Sequence, residues 1–283
     1  GGANSVYFGV ENLNMRSHSA NNFSSDDLPK IVEICKAHKV RTYLTLNIAV
    51  FNEDLEKAYR TLDKAKEAGV TAVIASDMSA ILYARSIDFE VHISTQLSIS
   101  NSEALRFYAQ FADVIVLARE LNMEQVREIS DIIERDQIKG PNGELVQIEM
   151  FCHGALCMAI SGKCYLSLHE YGSSANRGSC FQICRRGYEV TDLETGAQLH
   201  VDNKYIMSPK DLCTVEFIDK MINAGVSVLK IEGRARAAEY VKTVTSAYRR
   251  AVDAVEGGTF TPEYAAGLKE ELATVFNRGF WDG

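Results

Sequence analysis

This sequence has no long hydrophobic run. Its longest apolar stretches, such as 71–75 and 114–118, fall far short of the ~20 residues a membrane span requires, so no membrane partner is expected. No signal peptide opens it either, which predicts a cytoplasmic protein. In that reducing setting its seven cysteines, an odd number, fit free thiols or metal ligands better than disulfides. Positive charge is also in short supply, with 30 Lys and Arg against 38 Asp and Glu and a formal charge of -8. That balance argues against a broadly basic nucleic-acid-coating surface and against a DNA partner; an RNA has to be met at a local patch. Two hydrolase signatures are absent as well: there is no H-E-x-x-H metal site and no G-x-S-x-G elbow, and His169-Glu170 lacks a second histidine.

What is present is an ordinary globular composition over 283 residues, 46% hydrophobic and 24% charged, enough for one large domain or two modest ones. Short β-rich runs occur at 5–8, 42–46, 72–75, 91–95, 114–117, 146–151 and 226–231. Between them lie amphipathic stretches such as 26–38, 53–68, 102–111 and 123–135, several opened by Ser, Asn or Asp caps. Ala68-Gly69-Val70 and Ala224-Gly225-Val226 each read as a helix ended by a C-cap glycine and followed by a strand. Such alternation predicts an α/β fold with a parallel sheet and right-handed crossovers. Seven units are one short of a (β/α)8 barrel, and Gly1-Gly2-Ala3-Asn4 reads as a loop entering a strand from an earlier helix. The expectation is therefore a TIM-like barrel lacking its first strand, with a doubly wound open sheet as the alternative. The barrel would occupy 1–153 and 207–256, with a cysteine-rich subdomain inserted at 154–206 after a late strand and a helical extension over 257–283.

In such a barrel the active site lies at the carboxyl ends of the strands. Those ends carry Asn47, Asp77, Ser94-Thr95-Gln96, Arg119, His153 and Lys230-Ile231-Glu232-Gly233-Arg234. By the two-residue period of a strand, Lys230 and Glu232 share a face and point inward, where a charge must be paired or bind a ligand. Lys230, Glu232 and Asp77 are the candidate catalytic residues; a structural Lys–Glu pair is the plainer alternative.

Four cysteines, Cys157, Cys164, Cys180 and Cys184, fall in one glycine-rich loop after the 146–151 strand. Roughly sixty residues separate that strand from a helix expected near Pro209, far more than an ordinary β/α loop. The second half of this connection, 187–206, alternates around Glu194-Thr195-Gly196 as a hairpin would. Crowded thiolates call for a neutralising cation. Their spacings of six, fifteen and three intervening residues do not match the familiar zinc pairs. Iron–sulfur clusters tolerate such variation better, and zinc or no metal stays open on spacing alone.

The segments EMFCHGALC at 149–157, GKCYLS at 162–167, NRGSCFQICR at 176–185, SPKDLC at 208–213 and KIEGR at 230–234, with Val6-Tyr7-Phe8-Gly9 and Arg16, resemble the peptidase U32 family. The resemblance covers nearly the whole chain. That family includes collagenase-like proteases and accessory proteins for tRNA uridine and ubiquinone hydroxylation. The hydroxylase branch implies a 4Fe-4S cluster and prephenate as co-substrate, acting on C5 of a tRNA wobble uridine or on a quinone precursor. The Cys180-x3-Cys184 pair followed by Arg185 is similar to the tRNA branch, so tRNA is the expected partner; the quinone branch would draw its last ligand later, from Cys213. A small dicarboxylate suits guanidinium forks, which makes Arg16, Arg177 and Arg234 candidate binding residues beside Asn47 and Gln96. The protease branch would need a thiol such as Cys152 or Cys213 with His153, yet neighbours on a strand face opposite ways.

Overall fold

The structure, a computed structural model, describes residues 1–17, 22–199, 207, 210–234 and 236–281. Six parallel strands follow one another in chain and spatial order: β1 Ser5–Phe8, β2 Arg41–Leu46, β3 Ala72–Ala75, β4 Glu90–Ile93, β5 Val114–Val116 and β6 Gln147–Gly154. Between them run α1 Leu28–Ala37, α2 Leu55–Ala68, α3 Met78–Ser86, α4 Ser102–Tyr108 and α5 Met123–Arg135. The inner strands are apolar runs because both of their faces are covered; all four residues of β3 are buried. The helices are held by one stripe each. In α5, Val126, Ile129 and Ile133 are buried at helical spacing, and the Asn122 and Gln125 side chains close its first turn as a capping box. Each such buried aliphatic contributes about 1.5–3 kcal/mol.

After β6 the chain forms the short helix α6 Leu166–Tyr171 and a two-stranded hairpin, β7 Val190–Thr191 with β8 Gln198–Leu199. Backbone N–H groups of Glu194 and Thr195 bond to the Asp192 carboxylate and set its turn. The remainder of the expected hairpin, 200–206, and Ser208-Pro209, where a helix was expected to begin, lie outside the described residues, as do 282–283 of the C-terminal extension.

The segment after 210 corrects the sequence reading. Where the sequence predicts a helix beginning near Pro209, Cys213 instead ends the strand β9 Asp211–Cys213, which pairs antiparallel with the end of β6 through His153 and Gly154. The cause is long-range. Asp211 is 1% exposed and is clamped by Arg278 at 2.8 Å and Arg236 at 3.6 Å, so the segment is pinned by residues that no local pattern reveals. Helix α7 Ile218–Asn223, strand β10 Val226–Ile231, helices α8 Ala238–Glu256 and α9 Pro262–Ala273, and strand β11 Phe280–Trp281 complete the order. The extension expected to be helical thus holds one helix and a strand, β11, parallel to β9.

β10 lies parallel to β6, with Leu229 opposite Met150 and Lys230 opposite Phe151. Among the described residues β1 pairs only with β2 and β10 only with β6, so the mostly parallel sheet is open rather than closed. Side-chain contacts span the opening, among them the Tyr7 hydroxyl donating to the Ile231 carbonyl at 3.0 Å and Arg234 donating to Thr45 Oγ1 at 3.4 Å. Among the described residues no helix is long and apolar enough to cross a membrane.

Candidate active site

At the carboxyl ends of β2, β4, β5, β6 and β10 lies a cavity of about 160 Å³. The strands deliver Asn47, Gln96, Arg119, His153, Lys230 and Glu232 to it, and the loop after β6 supplies its other wall, including Cys157, Cys164, Cys180, Cys184 and Arg185. Gly154 allows this change of direction. Its φ of +110° lies where side chains are strained, and a Cβ there would stand 2.6 Å from the Glu232 carbonyl oxygen.

Glu232 is the acidic centre of the cavity. Tyr7 donates its hydroxyl to Glu232 Oε2 at 3.2 Å, while Arg16 stands 3.9 Å from Oε1, which is buried and accepts no hydrogen bond among the described residues. Burial, reinforced by the Glu232 charge, pushes the Tyr7 phenol well above its usual range, so Tyr7 stays a donor. The same carboxylate raises the Arg16 guanidinium, against the opposing effect of burial, and the Cys157 and Cys180 thiols add to the rise. Glu232 Oε1 is therefore an acceptor kept available at the cavity wall.

The arginines around it are unusual in their partners. Arg234 donates to Asn14 Oδ1 at 2.5 Å, Asn22 Oδ1 at 3.1 Å and Thr45 Oγ1 at 3.4 Å; Arg119 to the Ala159 carbonyl at 3.2 Å and Ser161 Oγ at 3.0 Å; Arg185 to Gln182 Oε1 at 2.6 Å. All of these acceptors are neutral. Burial pulls Arg234 and Arg185 below the usual guanidinium range; the Glu232 charge opposes this at Arg234, and the charges of Arg278 and Arg16 add to it at Arg185. The wall is short of negative charge, which is what an anionic ligand or a set of bound thiolates would supply.

Asn47 aligns the polar rim. Its Oδ1 accepts from the Met15 amide at 3.2 Å and its Nδ2 donates to Ser94 Oγ and Gln96 Oε1, both at 3.3 Å; the Ser94 hydroxyl also donates to Gln96. Asn176 Oδ1 and Thr95 Oγ1, on residues that line the cavity, are buried without a hydrogen bond among the described residues.

All four loop cysteines line the cavity, and Cys213 does not. Burial raises the Cys184 thiol; Arg185 opposes this, and the charges of Cys180, Cys157 and Cys164 push it further up. Cys184 thus stands within reach of the charges of the other three cysteines. Among the described residues no group of three or more Cys, His, Asp or Glu stands arranged to hold a metal ion. The four thiols are of the type a thiolate-ligated group needs and line one cavity, but they do not stand there in a ligating arrangement.

Three of the sequence candidates have other partners. Asp77 caps α3, accepting from the Ser79 amide at 2.9 Å and the Val50 amide at 3.2 Å, and does not line the cavity. Arg177 is also outside the lining; it pairs with Asp54, donates to the Ala49 carbonyl and lies 3.9 Å from the Phe51 ring centre. Lys230 reaches the cavity, but its ammonium is 2.5 Å from Glu149 Oε1, a buried pair. Arg16, Asn47, Gln96, Glu232 and Arg234 are brought together as expected. Tyr7 and Asn176 were missed; the charge of Glu149 inside an apolar strand was a visible signal that Lys230 had a partner.

No nucleophile–base pair of the kind considered for a thiol protease forms from Cys152. Cys152 is fully buried and donates to the Lys230 carbonyl at 3.4 Å; Cys213 is 1% exposed, and burial raises both thiols. The His153 Nδ1 faces the Tyr248 hydroxyl at 3.3 Å, and burial, with the charge of Arg236, pulls its imidazole down to about 4.

The chain is 61% identical over 282 residues to a protein named collagenase from Porphyromonas gingivalis, the match covering 100% of the chain and 68% of that protein. It is 37% identical over 260 residues to tRNA hydroxylation protein P1 of Bacillus subtilis, covering 89% of the chain and 59% of that relative. A 23S rRNA 5-hydroxycytidine synthase of Escherichia coli is 37% identical over 255 residues, 90% of the chain and 37% of the relative. The sequence profile of peptidase family U32 matches residues 1–283, and the chain belongs to that family.

Proposed function

We propose that this protein takes part in hydroxylating an RNA base in the cytoplasm, with C5 of a tRNA wobble uridine as the target, prephenate as co-substrate and a 4Fe-4S cluster on Cys157, Cys164, Cys180 and Cys184. The observation that carries this reading is the convergence of four thiols, three arginines with neutral partners and one carboxylate oxygen without a hydrogen bond on a single cavity. The similarity to proteins named for tRNA and rRNA hydroxylation supports it. Bound to the thiolates, the cluster would supply one-electron redox chemistry.

In this reading the other residues bind and orient. Arg234 and Arg119 hold the carboxylates of a small dicarboxylate through guanidinium forks. Glu232 Oε1 accepts an N–H or O–H of the ligand or takes the proton displaced from the base carbon, with Tyr7 and Arg16 fixing its position. Asn47 and Gln96 set the rim against which a base edge is read. The test combines anaerobic purification, with iron, sulfide and zinc analysis, and tRNA nucleoside analysis of a strain lacking the gene. Iron, sulfide and loss of 5-hydroxyuridine-derived nucleosides are expected; zinc alone, or unchanged tRNA and rRNA, would refute the proposal.

A second reading, peptidase activity, is favoured by the name of the relative at 61% identity. Its test is cleavage of gelatin by the purified protein after removal of any metal.

A further inference from the structure

The outward side of the cysteine loop carries a surface that the cavity chemistry does not use. Tyr165, at the N-cap of α6, and Leu168 and Tyr171 within it follow one another at three-residue spacing and are 67%, 40% and 45% exposed. Phe181, 48% exposed, sets its ring 4.9 Å from that of Tyr171, and the Arg186 guanidinium lies 5.1 Å from the Tyr171 ring centre. Large rings gathered in the open mark an interaction site.

The surface is continuous with the cavity along the chain. Cys164 lines the cavity and Tyr165 follows it; Cys180 lines it and Phe181 follows; Arg185 lines it and Arg186 follows. Between 157 and 187 the only acidic residue is Glu170, against Lys163, Arg177, Arg185 and Arg186. Arg177 is held by Asp54, whereas Lys163, Arg185 and Arg186 make no ion pair among the described residues. In a chain of net charge -8, this is a local cationic face with aromatic rings set into it.

We infer that this face binds single-stranded RNA, the bases flanking the target stacking on Tyr165, Tyr171 and Phe181 while Lys163 and Arg186 meet phosphates. Every base offers a π-face, so rings give affinity without demanding sequence, and guanidinium beside a ring adds to both stacking and charge neutralisation. A base must leave its stack before its ring carbons can be reached, and stacking its neighbours beside the cavity mouth favours that exposure. The inference rests on the RNA-hydroxylation reading and names the surface through which its substrate is held.

The test is equilibrium binding of the full-length protein to a labelled U-rich RNA of about ten nucleotides, single-stranded or in a duplex, by fluorescence anisotropy. Tyr171→Ala and Phe181→Ala should each weaken single-strand binding roughly tenfold, with secondary structure retained by circular dichroism. Tyr171→Phe, which keeps the ring, should bind as the parent does, and so should Phe107→Ala, which removes an exposed ring on α4. Replacing Lys163 and Arg186 by Gln should make the salt dependence shallower by about 0.7 log units per lost phosphate contact. Alanine variants that bind RNA like the parent, in a protein where Glu232→Gln still abolishes base hydroxylation, would overturn the inference and leave the reaction standing. Variants that lose gelatin binding instead would assign the face to a peptide. An unsubstituted protein that binds no RNA would refute both.

Discussion

Lys230→Met separates structure from chemistry at the base of the cavity. The Lys230 and Glu149 side chains are 9% and 3% exposed, and the ammonium also lies 4.7 Å from the Tyr7 ring centre and 5.5 Å from that of Phe151. Its surroundings are therefore a carboxylate and two aromatic rings, with little water. Without the ammonium, Glu149 loses its counter-ion in a low-dielectric site. Removing one member of a buried pair costs about 3–5 kcal/mol, a large part of the ~5–15 kcal/mol that holds a protein folded. Lys230→Met should therefore lower the urea midpoint sharply with an unchanged denaturant slope. Adding Glu149→Leu removes the orphaned charge and should restore most of the loss, because the desolvation penalty disappears with both ions. A single variant within about 1 kcal/mol of the parent would refute the reasoning, because an ion so placed cannot be lost without consequence. If the double variant is stable and still supports base hydroxylation, Lys230 is structural; if it is stable and inactive, Lys230 touches the ligand.

Four further outcomes are expected. Glu232→Gln keeps the size of the side chain and removes its charge, and should reduce base hydroxylation in cells by about a hundredfold or more with the protein still folded; tRNA nucleoside analysis checks this. Cys157→Ser, Cys164→Ser, Cys180→Ser and Cys184→Ser should each lower iron and sulfide content, whereas Cys213→Ser should leave it intact; four unchanged metal contents would refute the ligand set. His153 is held neutral by burial, its pKa drawn from 6.5 to about 4, so the unfolded chain takes up a proton that the folded one refuses. Stability from this source is complete above pH 6.5 and falls as pH drops toward 4, by at most roughly 3 kcal/mol, and His153→Phe should flatten that part of a urea-derived stability profile. Gly154→Ala introduces strain of about 1–3 kcal/mol at a positive φ, beside a carbonyl 2.6 Å from the new Cβ, and should be read as a lower melting temperature.

The parallel strands were legible because burial on both faces leaves no alternative to an apolar run: Ala72–Ala75, all buried, reads as a strand from its own four residues. Helices with one clear stripe, such as α5, were legible for the same reason. α3 was not picked out: the side it buries consists of Ala80, Ile81 and Ala84, while Leu82 on the outside is 51% exposed, which blurs the contrast. β9 could not be read at all, since its position depends on Arg236 and Arg278, 25 and 67 residues further along the chain.

The candidate site divides along the same line. Asn47, Gln96, Glu232 and Arg234 were legible because strand ends in an α/β fold point to one place, and the four cysteines because their density in one loop has no structural need. Arg177 and Asp77 carried the same signal and went elsewhere: a polar residue at a strand end can serve the next helix, as Asp77 does, or brace a neighbouring loop, as Arg177 does through Asp54. Residue type and strand position therefore nominate a site residue, but its partner decides. Among the described residues lining the cavity, the arginines open to a ligand are those whose partners are neutral, and the acid open to one is Glu232, with an oxygen left unbonded. By that criterion Arg119 joins Arg234 as a candidate binding residue, and Lys230, already matched by Glu149, is a candidate for the frame that holds them.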